Sequence, residues 1–155
     1  MASRFNPQAF SSRESLVDAW GDFFLTGNGC PPDWWVTVTL ADDCGDWGGV
    51  RRFGAFCAEL RRRLGHRAEW VRVTEHHKHR LTPHYHCLMW DCRDCDGIEP
   101  GRVDLQNWTW DSIGKTTIER FDPALGAPYY AAKYVSKDAH ELRVDFSRNW
   151  GRGSQ

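Results

Sequence analysis

The stretch Thr82–Trp90, TPHYHCLMW, does most to constrain the fold. Read as a strand with a two-residue period, it sends His84 and His86 to one face and Tyr85, Cys87 and Met89 to the other. If the second set enters a core, the imidazoles meet solvent or a cleft. WWVTVTL, Trp34 to Leu40, divides the same way, with Trp34, Val36, Val38 and Leu40 opposed to Trp35, Thr37 and Thr39. Strands with two differently used faces call for a sheet covered by helices.

The helices come from apolar spacing. Ser11-Ser12-Arg13-Glu14 reads as a capping box, and Leu16, Trp20, Phe23 and Phe24 recur at helical intervals until Gly27-Asn28-Gly29. From Val50 to Leu64, Val50, Phe53, Phe56, Cys57, Leu60 and Leu64 line one face, Arg51, Arg52, Arg61 and Arg63 lie opposite, and Gly65 ends the pattern. A strand from Glu69 to about Glu75, the polar turn HHKHRLTP and the histidine strand form a hairpin. A loop, a short helix near Trp108, a strand around Thr116 to Phe121, a helix starting at Pro128 and a last strand at Leu142 to Phe146 complete the order. Strand-helix-strand-strand predicts an α+β fold, an antiparallel sheet with its helices on one face.

The 155 residues fit one domain spanning 1–155, and nine Trp and eight Phe can fill its core. With 20 Lys+Arg against 21 Asp+Glu, no global field draws the chain to nucleic acid or membrane, so a polyanion site must be local. No apolar run suggests a membrane span and MASRFNPQAF lacks the apolar core of a signal peptide, which predicts a cytoplasmic protein. The six cysteines then read as thiols or metal ligands, with Cys57 and Cys87 as small core residues.

Two constellations carry chemistry. A neutral imidazole is a good metal ligand, and His84 and His86 on one rigid strand can share an ion. Glu75 ends the preceding strand of the same hairpin and can reach across to them. Two histidines and a carboxylate, with positions left for water and substrate, suit Mn²⁺ or Mg²⁺ acting as a Lewis acid. His76, His77 and His79 are rivals placed in the turn. In YYAAKYVSKD, Tyr130, Lys133, Tyr134 and Lys137 share a helical face that is polar where a core helix would be apolar. A phenol ionises only about once in a thousand at pH 7, a deficit of about 4 kcal/mol, so a nucleophilic tyrosine needs a neighbouring lysine and a metal-activated phosphate.

Taken together, WVTVTL, PHYHCLMW with a glutamate nine positions upstream, and YVSKD resemble, in that order, the three motifs of the HUH single-strand endonucleases, specifically the rolling-circle replication initiator (Rep) proteins. The resemblance covers about Trp34 to Asp138. It implies a five-stranded antiparallel sheet with flanking helices, related to the ferredoxin-like fold, and a divalent ion held by Glu75, His84 and His86. It further implies a tyrosine that attacks single-stranded DNA at a replication origin, at a stem-loop, leaving a 5′-phosphotyrosine and a free 3′-OH. Tyr134 is the principal nucleophile on this reading, Tyr130 a second nucleophile or helper, and Lys137 the stabiliser of phenolate or phosphate charge. No phosphate-binding Gly-x-x-x-x-Gly-Lys-Ser/Thr loop is present, so a helicase as well as a polymerase must come from elsewhere. The compartment would be a bacterial cytoplasm, or a nucleus for a eukaryotic virus.

Other readings stay open. Relaxases and transposases use the same chemistry, an RRM-like module would bind RNA or single-stranded DNA without cutting, and a structural zinc protein would use the cysteines. Cys92-Arg-Asp-Cys95 has zinc-ligand spacing, and Cys30 falls near it if the first strand pairs with the histidine strand; free loop thiols are the plainer reading. DNA contacts are expected among Arg51, Arg52, Arg61 to Arg63 and the turn His76 to Arg80, with Trp35, Trp108 or Trp110 stacking on bases.

Overall fold

A computed structural model describes residues 13–76, 82–125 and 143–148, with side chains from residue 17 onward except Phe24. Its elements are α1 (Arg13–Thr26), β1 (Trp34–Leu40), α2 (Gly45–Leu64), β2 (Glu69–His76), β3 (Pro83–Trp90), α3 (Arg102–Ser112), β4 (Gly114–Arg120) and β5 (Arg143–Phe146). The strands form one sheet in the order β4-β1-β3-β2-β5, every adjacent pair antiparallel. The expected five-stranded α+β fold is therefore present. The helix starting at Pro128 falls outside the described residues.

The alternation in β1 and β3 sets the layers. Trp34, Val36, Val38 and Leu40 meet Tyr85, Cys87 and Met89 on one face, where Phe53, Phe56, Leu60 and Leu64 of α2 and Leu105 of α3 seal them into the main core. On the other face, Trp35, Val71, Val73, Leu88 and Trp90 form a second cluster with Trp20 of α1. The helices are thus not all on one face as expected: α1 covers the opposite side, because Trp35, Leu88 and Trp90 make that side apolar at one end of the sheet.

α2 begins at Gly45, five residues before the apolar pattern suggests. The sequence Gly48-Gly49 argues against helix by propensity, yet tertiary packing requires it. A Cβ at Gly49 would run into the Tyr85 hydroxyl and the Pro83 ring, so only glycine lets the helix lie this close to β3. Gly114, at φ +150°, admits β4 against the backbone of Thr39 and Ala41 in the same way.

β5 has only four residues, and side chains reinforce it. Arg72 on β2 is buried, pairs with Asp145 at 2.8 Å, and lies over the rings of Tyr85 and Phe53 at 4.7 and 4.8 Å. Ser147 Oγ accepts a hydrogen bond from the Trp70 backbone N–H at 3.0 Å.

Candidate metal centre

Register brings the three predicted ligands together. Glu75 lies directly opposite His84 in the β2–β3 ladder, and His86 follows two residues along on the same face. Their ligand atoms all fall within 4.8 Å of one another. His86 Nε2 is 3.2 Å from Glu75 Oε2, and the imidazoles meet edge to face at 4.7 Å between centroids. Among the described residues this is the only group of three or more His, Cys, Asp or Glu able to share an ion.

β1 supplies a supporting layer that the sequence reading missed. Thr39 pairs with His84 and Thr37 with His86, and their Oγ1 atoms approach the Nδ1 atoms at 3.0 and 3.4 Å. An imidazole that binds metal through Nε2 carries its proton on Nδ1 and donates it to such an oxygen, which fixes both tautomer and ring plane. Beneath them Trp35 stacks on His86 at 5.8 Å and 27°. The signal was available: Thr37 and Thr39 alternate with core residues, and pairing β1 against the histidine strand places them under the imidazoles.

The donor set fits a divalent ion. Two neutral nitrogens and one carboxylate leave coordination positions for water or substrate, and Glu75 is half exposed while His86 is only 15% exposed, so access comes from the carboxylate side.

The rivals are displaced. His76 is the last residue of β2 rather than part of the turn, and it faces away from Glu75 to bind Asp46 Oδ1 of α2 at 2.6 Å. Tyr85, between the two histidines, is buried on the far face, and burial pushes its phenol up to about 12, so it has no nucleophilic role. Residues 77–81, and with them His77, Lys78, His79 and Arg80, lie outside the described residues, as do Tyr130, Tyr134 and Lys137.

The zinc clip does not form. Cys92 is buried with its thiol raised well above the usual range by desolvation, whereas Cys30 and Cys95 are exposed, and the three sulfurs do not converge. Cys30 does approach the end of β3, but through its carbonyl, which accepts from Trp90 Nε1 at 2.8 Å. Of the proposed stacking residues, Trp35 is a buried wall and Trp108 packs against the main core, while Trp110 is 60% exposed beside Lys115. Arg52 is bound to Asp42.

The sheet and its His-His-Glu cluster define an α+β protein with an open metal centre in the middle of a sheet face. A family model of replication-associated proteins, of the ORF2 type, matches residues 33–139, more than half the chain and all the strands from β1 to β4. The chain belongs to this family, a rolling-circle Rep-type family. No curated protein and no solved structure matches it. Among the described residues, no helix is long and apolar enough to cross a membrane.

Proposed function

We propose that this chain nicks and rejoins single-stranded DNA at a replication origin through a tyrosine nucleophile. The observation that carries the reading is the convergence of Glu75, His84 and His86 within 4.8 Å on an open sheet face, in a chain of a replication-associated family. These residues would hold a divalent ion, Mn²⁺ or Mg²⁺, which when bound supplies Lewis-acid polarisation of the scissile phosphate. Thr37 and Thr39 keep the two rings in place. Tyr134 Oη forms a bond to phosphorus while the bond from phosphorus to the 3′-oxygen breaks, and Lys137 stabilises the phenolate. The phenolic proton leaves to solvent, the departing 3′-oxygen takes one up, and the product is a 5′-phosphotyrosine with a free 3′-OH. Because the phosphodiester's energy is kept in the new ester, a 3′-OH can reverse the reaction, and Tyr130 would provide a second round of transfer.

Topology supports bringing the tyrosines to this ion. β1 and β2 run parallel with β3 between them, and α2 crosses from one to the other over the main-core face. β3 and β4 are joined by α3 over the same face, with both the strand direction and the sideways step reversed, so the hand is unchanged. The β4-to-β5 connection steps sideways as α2 does but starts from a strand running the other way. To keep the right-handed sense of nearly all such crossovers it must traverse the opposite face, the one bearing Glu75, His84 and His86. Phe121, just after β4, already packs in the cluster on that face. Tyr130, Tyr134 and Lys137 all belong to this connection.

The deciding experiment incubates the protein with a pool of single-stranded oligonucleotides and Mn²⁺, followed by mass spectrometry of the protein. A DNA adduct on Tyr134, lost in Tyr134→Phe, is expected. Metal-independent binding with no adduct would instead leave a non-catalytic nucleic-acid-binding module, and an undiminished adduct in Tyr134→Phe would move the nucleophile to Tyr130.

A further inference from the structure

At the other end of the sheet and on its other face, the C-terminal half of α2, the start of β2 and the residues after β5 enclose a groove of about 710 Å³. Trp70 and Met89 contribute to its apolar floor, and Arg61, Arg62, Arg67 and Arg148 stand around it. Its charge is not balanced locally. The nearby carboxylate Glu59 is engaged by Arg62 and Arg63 at 2.7 and 2.8 Å, and Glu69, which lines the groove, accepts from Ser147 Oγ at 2.5 Å. Among the described residues no ion pair or side-chain hydrogen bond engages the guanidinium groups of Arg61, Arg67 or Arg148. In a chain of net charge −1, three unpaired arginines around one apolar trough form the local polyanion site that composition alone does not reveal.

We infer that this groove is a second nucleic-acid site, which holds the phosphates of single-stranded DNA flanking the segment bound at the metal centre. The inference rests on the DNA-acting reading above and adds the path of the strand to it. A trough whose floor is apolar and whose rim is basic suits a single strand, with sugars and bases against Trp70 and Met89 and phosphates at the arginines. Glu69 and Glu75 are six residues apart on β2, roughly 20 Å at about 3.4 Å per residue. A strand engaged in both places must therefore wrap around the sheet, and binding in the groove needs no metal.

The test measures affinity for a fluorescein-labelled single strand, and for its duplex, by anisotropy across a salt series in EDTA. The wild type is compared with the triple variant Arg61→Ala/Arg67→Ala/Arg148→Ala. The three side chains are exposed, and an unchanged melting temperature checks that the variant is folded. Each lost phosphate contact should reduce the slope of log affinity against log salt by about 0.7, so the variant's slope should be shallower by about two. At saturating oligonucleotide with Mn²⁺, its rate of adduct formation should equal that of the wild type. An unchanged slope, a wild-type preference for duplex over single strand, or competition by polyglutamate as effective as by DNA would overturn the inference, the last assigning the groove to an acidic protein partner. If the wild type forms no adduct but the slope still falls, the groove stands and the nuclease reading fails.

Discussion

The two faces of the central strands are built from the same residues in alternation, yet they are used differently. Toward α2 and α3, every inward residue of β1 from Trp34 to Leu40 is apolar and buried, and the core runs the full length of the strand. Toward α1, the sheet is apolar only at the end carrying Trp35, Val71, Leu88 and Trp90; two residues further along, the same strands present Thr37, Thr39, Glu75, His84 and His86. One face is committed to holding the sheet together. The other is split between an apolar anchor and a polar, open half that can be spent on chemistry because the first face already supplies the stability.

That contrast breaks if the polar half is structural. The double variant His84→Ala/His86→Ala should lose Mn²⁺ binding in calorimetry and adduct formation altogether, with a stability change of about 1 kcal/mol or less, as for substitutions outside a packed core. Collapse of the melting transition would mean that the imidazoles hold the sheet instead. On the other face the expectation inverts. Phe56, fully buried between α2 and the sheet, should cost about 3 to 5 kcal/mol in urea denaturation when replaced by Ala. A loss under about 1 kcal/mol would deny α2 its anchoring role.

A subtler substitution probes how the polar half is organised. Thr39→Val keeps shape and strand propensity but removes the Oγ1 that sits 3.0 Å from His84 Nδ1. Mn²⁺ affinity should fall roughly 10- to 100-fold, the usual cost of losing a partner that orients a ligand. Thr37→Val, whose contact with His86 is longer at 3.4 Å, should lose less. Equal affinities in all three proteins would leave the threonines without a part in positioning the rings.

Much of this was legible in the chain because strand alternation and antiparallel pairing are local rules. His84 and His86 had to share a face, and a hairpin had to bring Glu75 across from them. What escaped depends on contacts between distant elements. Gly48-Gly49 reads as a helix breaker until Tyr85 and Pro83 occupy the space a side chain would need. His76 reads as a turn residue until Asp46, thirty positions earlier, meets it at the end of β2. The cysteines were placed near the right end of the sheet, but spacing says nothing of direction, and Cys92 points inward while Cys30 and Cys95 do not. α1 went to the unexpected face because an amphipathic pattern shows which side of a helix is buried and not which side of a sheet buries it.

The smallest effect separates the core-facing side of α2 from its outer side. There Glu59 accepts hydrogen bonds from Arg62, at 2.7 and 2.9 Å, and from Arg63, at 2.8 Å. The Arg62 bonds above all, with Arg63 adding to them and partial burial opposing, hold its carboxyl down at about 2 against an ordinary value of 4.5. A folded-state value below the unfolded one means that the contribution is fully present above about pH 4.5 and is lost as the pH falls through about 2. Arg62 is 70% exposed, so solvent screening limits the contribution to about 0.5 kcal/mol. Wild type and Glu59→Gln should accordingly differ by about that much at neutral pH, converge on acidification, and differ less in high salt. A gap that widens as the solution is acidified would reverse the sign, whereas a gap approaching the cost of Phe56→Ala would mean that the outer side of α2 carries stability comparable to the side packed on the sheet.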